Sequence, residues 1–133
     1  MATILAHITI KPGKLEDFER TIRELHEATH RLEPGCRRYE YWRGAAPNSY
    51  YCLLSFDDFL AFLNHQTSDH HDAPDFGSML ETIKLEWVDP VQGASPLVPT
   101  EPQALPDDAS EKFRKAAPMY EVAVADWWLP LRK

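Results

Sequence analysis

The chain has 133 residues, 44% of them hydrophobic, which suits one domain with a substantial core and an appendage. Its formal net charge of −7 makes a nucleic-acid backbone a poor partner, and Arg37, Arg38 and Arg43 are too few to reverse that. No run approaches the roughly 18 apolar residues of a membrane-spanning helix, and strand-like sequence begins at once with no secretory leader, so a cytoplasmic protein is expected, binding neither nucleic acid nor membrane.

Thr3 to Ile10 alternate, with Ile4, Ala6, Ile8 and Ile10 on one face and Thr3, Leu5, His7 and Thr9 on the other, which predicts a first strand. Past the turn Lys11-Pro12-Gly13-Lys14 the period changes. Leu15, Phe18, Ile22, Leu25, Thr29 and Leu32 recur at spacings of three and four, the stripe of an amphipathic helix that Pro34-Gly35 ends. Glu16 with Arg20, Glu19 with Arg23, and Glu27 with Arg31 are i,i+4 pairs in the favourable order.

Cys36 to Arg43, the turn Gly44-Ala45-Ala46-Pro47-Asn48-Ser49 and the return Tyr50 to Phe56 predict a β-hairpin. In it Cys52 falls nearer Tyr41 than Cys36, so both cysteines are expected to be reduced. Tyr39, Tyr41 and Arg43 share one face, and Arg38, Glu40 and Trp42 the other; parity does not say which looks towards the helices. Asp57 or Asp58 can cap a second helix carrying Phe59, Leu60, Phe62 and Leu63. A polar, His-rich connection over Asn64 to Asp72 follows, then a short helix over about Pro74 to Leu80. Ile83, Leu85 and Trp87 alternate with polar residues as a fourth strand.

The order βαββαβ predicts an α+β, ferredoxin-like antiparallel sheet with both helices on one face. Apolar side chains on its other face call for burial against a second copy, so a homodimer is expected. Residues 1–90 read as this domain. From Pro90 the spaced prolines of residues 91–133 read as a C-terminal extension: an extended arm, a short helix over Ala109 to Ala117, and a strand or docking segment over Met119 to Trp128. It is expected to pack on the parent domain or on the partner subunit.

Three stretches carry a family resemblance. Lys11-Pro12-Gly13-Lys14, then Glu33-Pro34-Gly35-Cys36 with Tyr39-Glu40, then His65-x-x-Ser68-x-His70-His71, in this order, resemble the antibiotic biosynthesis monooxygenase domain of the dimeric α+β-barrel superfamily, over about residues 2–90. The resemblance implies a homodimer whose sheets form a barrel, with a pocket in each subunit between sheet and helices. It also implies, for several members, oxygenation of anthrones and quinols without metal or flavin, the substrate carbanion or phenolate itself reacting with O2. Leu54 and Phe56 stand where many relatives carry Glu and Trp. Haem-degrading relatives use Asn, Trp and His where this chain has Ala6, His65 and about Asp75, so haem degradation is disfavoured.

No Gly-x-Gly-x-x-Gly, Cys-x-x-Cys or His-Glu-x-x-His pattern occurs, so no cofactor is expected. Histidine is then the natural base for a quinol or anthrone proton. His65 and His70 are the candidates for proton handling, with His7, Trp42, Phe59, Phe62 and His71 shaping a pocket for a small aromatic molecule. Other readings stand beside this one. The cluster can be a solvated loop whose histidines cap helix ends, and His7 a hydrogen-bonded core residue. Phe59, Phe62 and Trp42 can be ordinary packing, and His26 with His30 a plain surface pair. At the level of function, the alternatives are a dimeric protein that binds an aromatic ligand without turnover, and a metal-dependent enzyme using His65, His70 and His71 with the flanking aspartates.

Overall fold

In the computed structural model, which describes residues 1–123, the chain runs β1 (Ala2–Ile10), α1 (Leu15–Leu32), β2 (Cys36–Arg43), β3 (Ser49–Phe56), α2 (Phe59–Gln66), α3 (Asp69–Asp72), α4 (Phe76–Met79), β4 (Leu80–Trp87), α5 (Glu111–Ala116) and a 3-10 turn, Ala117–Tyr120. The strands form one antiparallel sheet in the order β2-β3-β1-β4. This is the ferredoxin-like α+β arrangement, with the turns α3 and α4 inserted before β4. No described helix is long and apolar enough to cross a membrane.

The alternation of β1 becomes the two sides of the sheet. Ile4, Ala6, Ile8 and Ile10 are buried beneath the helices, whereas Leu5, His7 and Thr9 are only half-buried on the far side. Against them α1 buries Phe18, Ile22, Leu25 and Thr29. Leu32, at the end of the stripe, is instead 55% exposed because the helix stops there. Of the expected ion pairs Glu19–Arg23 forms at 3.9 Å, but Arg20 turns back to Asp17 at 2.6 Å and Glu19 also holds Arg43. Such exposed pairs contribute little to stability.

The hairpin register places Tyr41 opposite Cys52, and Cys36 and Cys52 are free thiols. Burial pushes the Cys36 thiol up to about 11 and Cys52 further, so neither is a nucleophile at neutral pH. The register also settles the parity of β2. Tyr39 and Tyr41 face the helices, while Trp42 sits across from Tyr51 on the far side and is 59% exposed. That far side carries His7 as well, edge-on to Tyr51 at 5.6 Å and 3.1 Å from Glu86.

Pro34-Gly35 is where the helix layer meets the hairpin. The Glu33 N–H still donates to Thr29 as the α1 cap, Cys36 N–H closes a turn onto the Glu33 carbonyl, and Gly35 accepts from Asp57 N–H. A Cβ on Gly35 would stand 2.9 Å from the Ala61 Cβ, backbone-close packing that only glycine allows. Gly35→Ala should therefore push α2 away and lower stability by about 1–3 kcal/mol, read from the urea midpoint. An unchanged midpoint would show that α2 gives way freely.

The second helix begins where Asp58 accepts from Ala61 N–H at 2.8 Å, and Gln103 from the C-terminal segment caps its first turn again. The two later short helices come out as Phe76–Met79 and Glu111–Ala116, inside the spans expected. The His-rich connection is not a loop throughout, since Asp69–Asp72 make a turn of helix. Residues 88–110 contain no helix or strand. Met119 and Tyr120 belong to the 3-10 turn rather than to a strand, residues 121–123 take no regular structure, and residues 124–128 of the expected docking segment lie outside the described residues.

Candidate functional site

Between the sheet and the layer of α2, α3 and α4 lies a cavity of about 250 Å³. Ala6, Ile8 and Leu54 form part of its apolar floor, and Tyr39, Tyr41 and Cys52 line it on the hairpin side. His71, Phe76 and Tyr120 complete it opposite. Strand periodicity explains the floor, because every second residue of β1, β2 and β3 points there. A larger depression of about 490 Å³ lies along α1 and β2, lined by Glu19, Arg23, His26, Trp42 and Arg43. It is more open to solvent, and Glu19 already holds both arginines, so the deeper, more sheltered cavity is the better chemical site.

Tyr39 and Tyr41 hydroxyls are 2.7 Å apart. Burial holds both well above the usual tyrosine value, so they stay protonated and can donate to an oxygen that gains charge. His71 brings the only strongly shifted imidazole among the described residues. Burial, with neighbouring His65, lowers it to about 4, against the attraction of Asp72 and Glu33. At neutral pH it is therefore an uncharged ring with a free lone pair.

That shift has a sign that can be measured. The folded pKa lies below the ordinary 6.5, so between about pH 6.5 and 4 the unfolded chain takes up a proton that the native one does not. Stability is fully present above that window and falls as pH drops through it, by at most about 1.4 kcal/mol per pH unit for one proton. Urea titrations at pH 7 and pH 4.5 should show the fall in wild type and a smaller one in His71→Gln. Equal slopes would mean that His71 titrates normally.

Behind His71 sits a cluster the sequence reading had only in part. His65 is 0% exposed, its Nδ1 2.9 Å from Glu33 Oε1, and its ring packs against Tyr39, Phe56 and His71. His70 Nε2 reaches the same Glu33 oxygen at 2.5 Å and also Ser68 Oγ at 3.2 Å. Glu33 Oε2 and His65 Nε2 are buried without a partner among the described residues. One carboxylate and two imidazoles within 4.8 Å of one another invite a metal reading. A tetrahedral ion with bonds of roughly 2.0–2.2 Å needs its ligand atoms roughly 3.3 Å apart. The distances of 2.9 and 2.5 Å are those of hydrogen bonds, and an ion would have to spread the cluster. The metal-dependent alternative draws no support from this geometry.

The expected pocket residues separate accordingly. His71 lines the cavity; His65 and His70 stand behind it, joined through Glu33. The expectation of a solvated histidine loop does not describe His65, which is core. Phe59 and Phe62 are 5% and 0% exposed and belong to the core rather than the cavity wall. The indole that meets them is Trp87, at 6.2 and 5.4 Å, not Trp42. Trp42 and His7 lie on the opposite side of the sheet, a consequence of strand parity, and neither reaches the cavity. His26 and His30 lie with ring centroids 4.5 Å apart at a tilt of 59° along α1, and neither lines the cavity. Glu33 was named only within the Glu33-Pro34-Gly35-Cys36 motif and Trp87 only as a strand residue, and neither they nor Tyr120 were named as site residues. A carboxylate directly before Pro-Gly at a helix end is the local signal that pointed towards Glu33.

A four-stranded α+β sheet with a mostly apolar cavity under its helices, edged by Tyr39, Tyr41 and Tyr120, and a largely buried Glu-His-His cluster beside it defines the class of protein. Residues 1–73 match the antibiotic biosynthesis monooxygenase family model, more than half of the chain, and the chain belongs to that family. Among solved structures it is similar to a Pseudomonas aeruginosa protein, at 28% identity and a TM-score of 0.58 over 65% of this chain and 90% of that one. A Bacteroides thetaiotaomicron protein provisionally named an antibiotic biosynthesis monooxygenase is similar at 24% identity and TM-score 0.62, over 77% and 95%. A Caulobacter crescentus protein of the same provisional name is similar at 23% and 0.63, over 68% and 90%. The latter two speak to the fold alone. No curated protein matches the chain.

Proposed function

We propose that the chain is a cofactor-independent monooxygenase acting on a small phenol- or quinol-type aromatic with O2, working as a homodimer through the uncovered face of its sheet. The observation that carries the reading is an uncharged imidazole, His71, on the wall of an otherwise apolar and tyrosine-lined cavity in a chain of this family. The cavity is smaller than the roughly 300–1,000 Å³ of drug-sized ligand sites, so it suits a flat molecule of one or two rings.

His71 accepts the substrate proton. Burial penalises a lone imidazolium, but an imidazolium beside a new phenolate is a neutral pair, and the Glu33 carboxylate behind adds to its stability. Of the paired Tyr39 and Tyr41 hydroxyls one donates to the other, and the second donates its proton to the oxyanion. His65 and His70 touch no substrate; they orient Glu33 and are positioning residues. The anion passes one electron to O2, and the two radicals combine into a peroxide on the ring carbon. Loss of water from it leaves a carbonyl. A phenol thus loses its O–H and ring C–H hydrogens and gains one oxygen atom, the second oxygen leaves as water, and the substrate supplies all the electrons.

Chelator-treated protein should consume O2 above the buffer blank with 1,5-dihydroxynaphthalene and place one 18O atom from 18O2 in the quinone. Uptake equal to the blank across a panel of such phenols, with the same compounds still raising the melting temperature, would replace this reading with the binding protein that does not turn over.

A further inference from the structure

The family match ends at residue 73 and the sheet at Trp87, yet the chain comes back to the cavity. Thr100 is 1% exposed, and its hydroxyl accepts from Thr3 N–H at 3.1 Å. Gln103 Oε1 accepts from Phe59 N–H at 2.7 Å and Leu60 N–H at 3.3 Å, over the start of α2. At the other end of the same helix, Lys112 Nζ donates to the Thr67 carbonyl at 3.2 Å and pairs with Asp69 and Asp72 at 3.5 and 3.1 Å. Residues 100–112 are therefore fastened along the whole of α2, and α5 follows, capped by Ser110 and burying Ala116.

That fastening fixes what comes next. Tyr120 stands edge-on to Phe62 at 5.3 Å, its hydroxyl donates to Gln66 Oε1 at 3.4 Å, and Trp87 Nε1 donates to the adjoining Glu121 carbonyl at 3.0 Å. Tyr120 lines the cavity together with Ile8, Ile83 and Leu85, where β4 is an edge strand and Ile83 is 53% exposed. Of the described residues that line the cavity, Tyr120 is the one that comes from beyond β4.

We propose that Tyr120, carried in by the C-terminal extension and held there by the Lys112 contacts at the α2–α3 corner, is the specificity-determining residue that limits the cavity to aromatics of one or two rings. The inference rests on the cavity reading above. Removing the ring opens the wall towards the β4 edge without touching His71, Tyr39 or Tyr41. Lys112→Met loosens the same wall from a distance of eight residues in the chain.

Binding of 1-naphthol and of its three-ring analogue 1-anthrol is measured by anaerobic calorimetry on the full chain, wild type and variants, with melting curves confirming folding. Wild type should prefer 1-naphthol. Tyr120→Ala should shift the affinity ratio towards 1-anthrol by tenfold or more, Tyr120→Phe should keep the wild-type ratio, and Lys112→Met should move it the same way as Tyr120→Ala but less. A wild type that discriminates alongside a Tyr120→Ala variant with an unchanged ratio overturns this inference and leaves the cavity reading standing. A wild type that binds neither compound overturns both. Should Tyr120→Ala fail to fold, Lys112→Met decides: an unchanged ratio there overturns the inference.

Discussion

His71→Ala is expected to lower the rate of O2-dependent turnover of a two-ring quinol by about 10²–10⁴-fold, the usual contribution of a positioned base. The argument is one of placement and charge state together. His65, His70 and His71 are neighbours in sequence, but only His71 reaches the cavity, and burial keeps it uncharged. A base with its lone pair free down to about pH 4 also predicts the acid side of the rate profile. Wild-type kcat/KM should fall near pH 4 rather than near the 6.5 of an ordinary histidine. His26→Ala, far from the cavity, is the control and should change neither. The measurement is O2 consumption from pH 3.5 to 8 with the folded fraction followed alongside. Turnover by His71→Ala within a factor of two of wild type would remove His71 from the chemistry.

Glu33→Ala should cost about 3–5 kcal/mol of stability, the range found when one member of a buried charged group is deleted and its partners are left behind. Glu33 Oε1 is the shared acceptor for His65 Nδ1 and His70 Nε2, and His65 has no route to solvent. Deleting His70 is milder, because its ring is already partly exposed and can turn to water. The double variant Glu33→Ala/His70→Ala should therefore lose less than the sum of the two single losses, a coupling that a urea-unfolding cycle measures directly. Strictly additive losses would mean that the 2.5 Å contact contributes nothing of its own.

These expectations show how differently the parts of this chain could be read before folding. Alternation in β1 and the three-four spacing in α1 state which residues go inward, since a strand has two sides and a helix one apolar stripe. The hairpin register followed from turn length, and with it the separation of Cys36 from Cys52. The histidine cluster was legible as a site, with His65 and His70 expected to handle the proton, but not which of its members faces the cavity. Three histidines within seven residues around a helix end point in different directions, and a short helix over Asp69–Asp72 sends His70 to Glu33 and His71 to the cavity. Trp42 and Trp87 illustrate the same limit. Both are strand tryptophans; sheet parity sent one outward and the other against Phe59 and Phe62.

By itself, then, the sequence determined the order and character of the elements and the family, because periodicity, turn chemistry and a few spaced motifs are local properties of the chain. Only the tertiary structure decided which histidine faces the cavity, that Glu33 is its buried support, and that Tyr120 returns from a distant segment to close the wall. Those depend on which side of each strand meets the helices and where a non-periodic segment comes to rest. Both are set by burial and by hydrogen bonds between residues up to 97 positions apart.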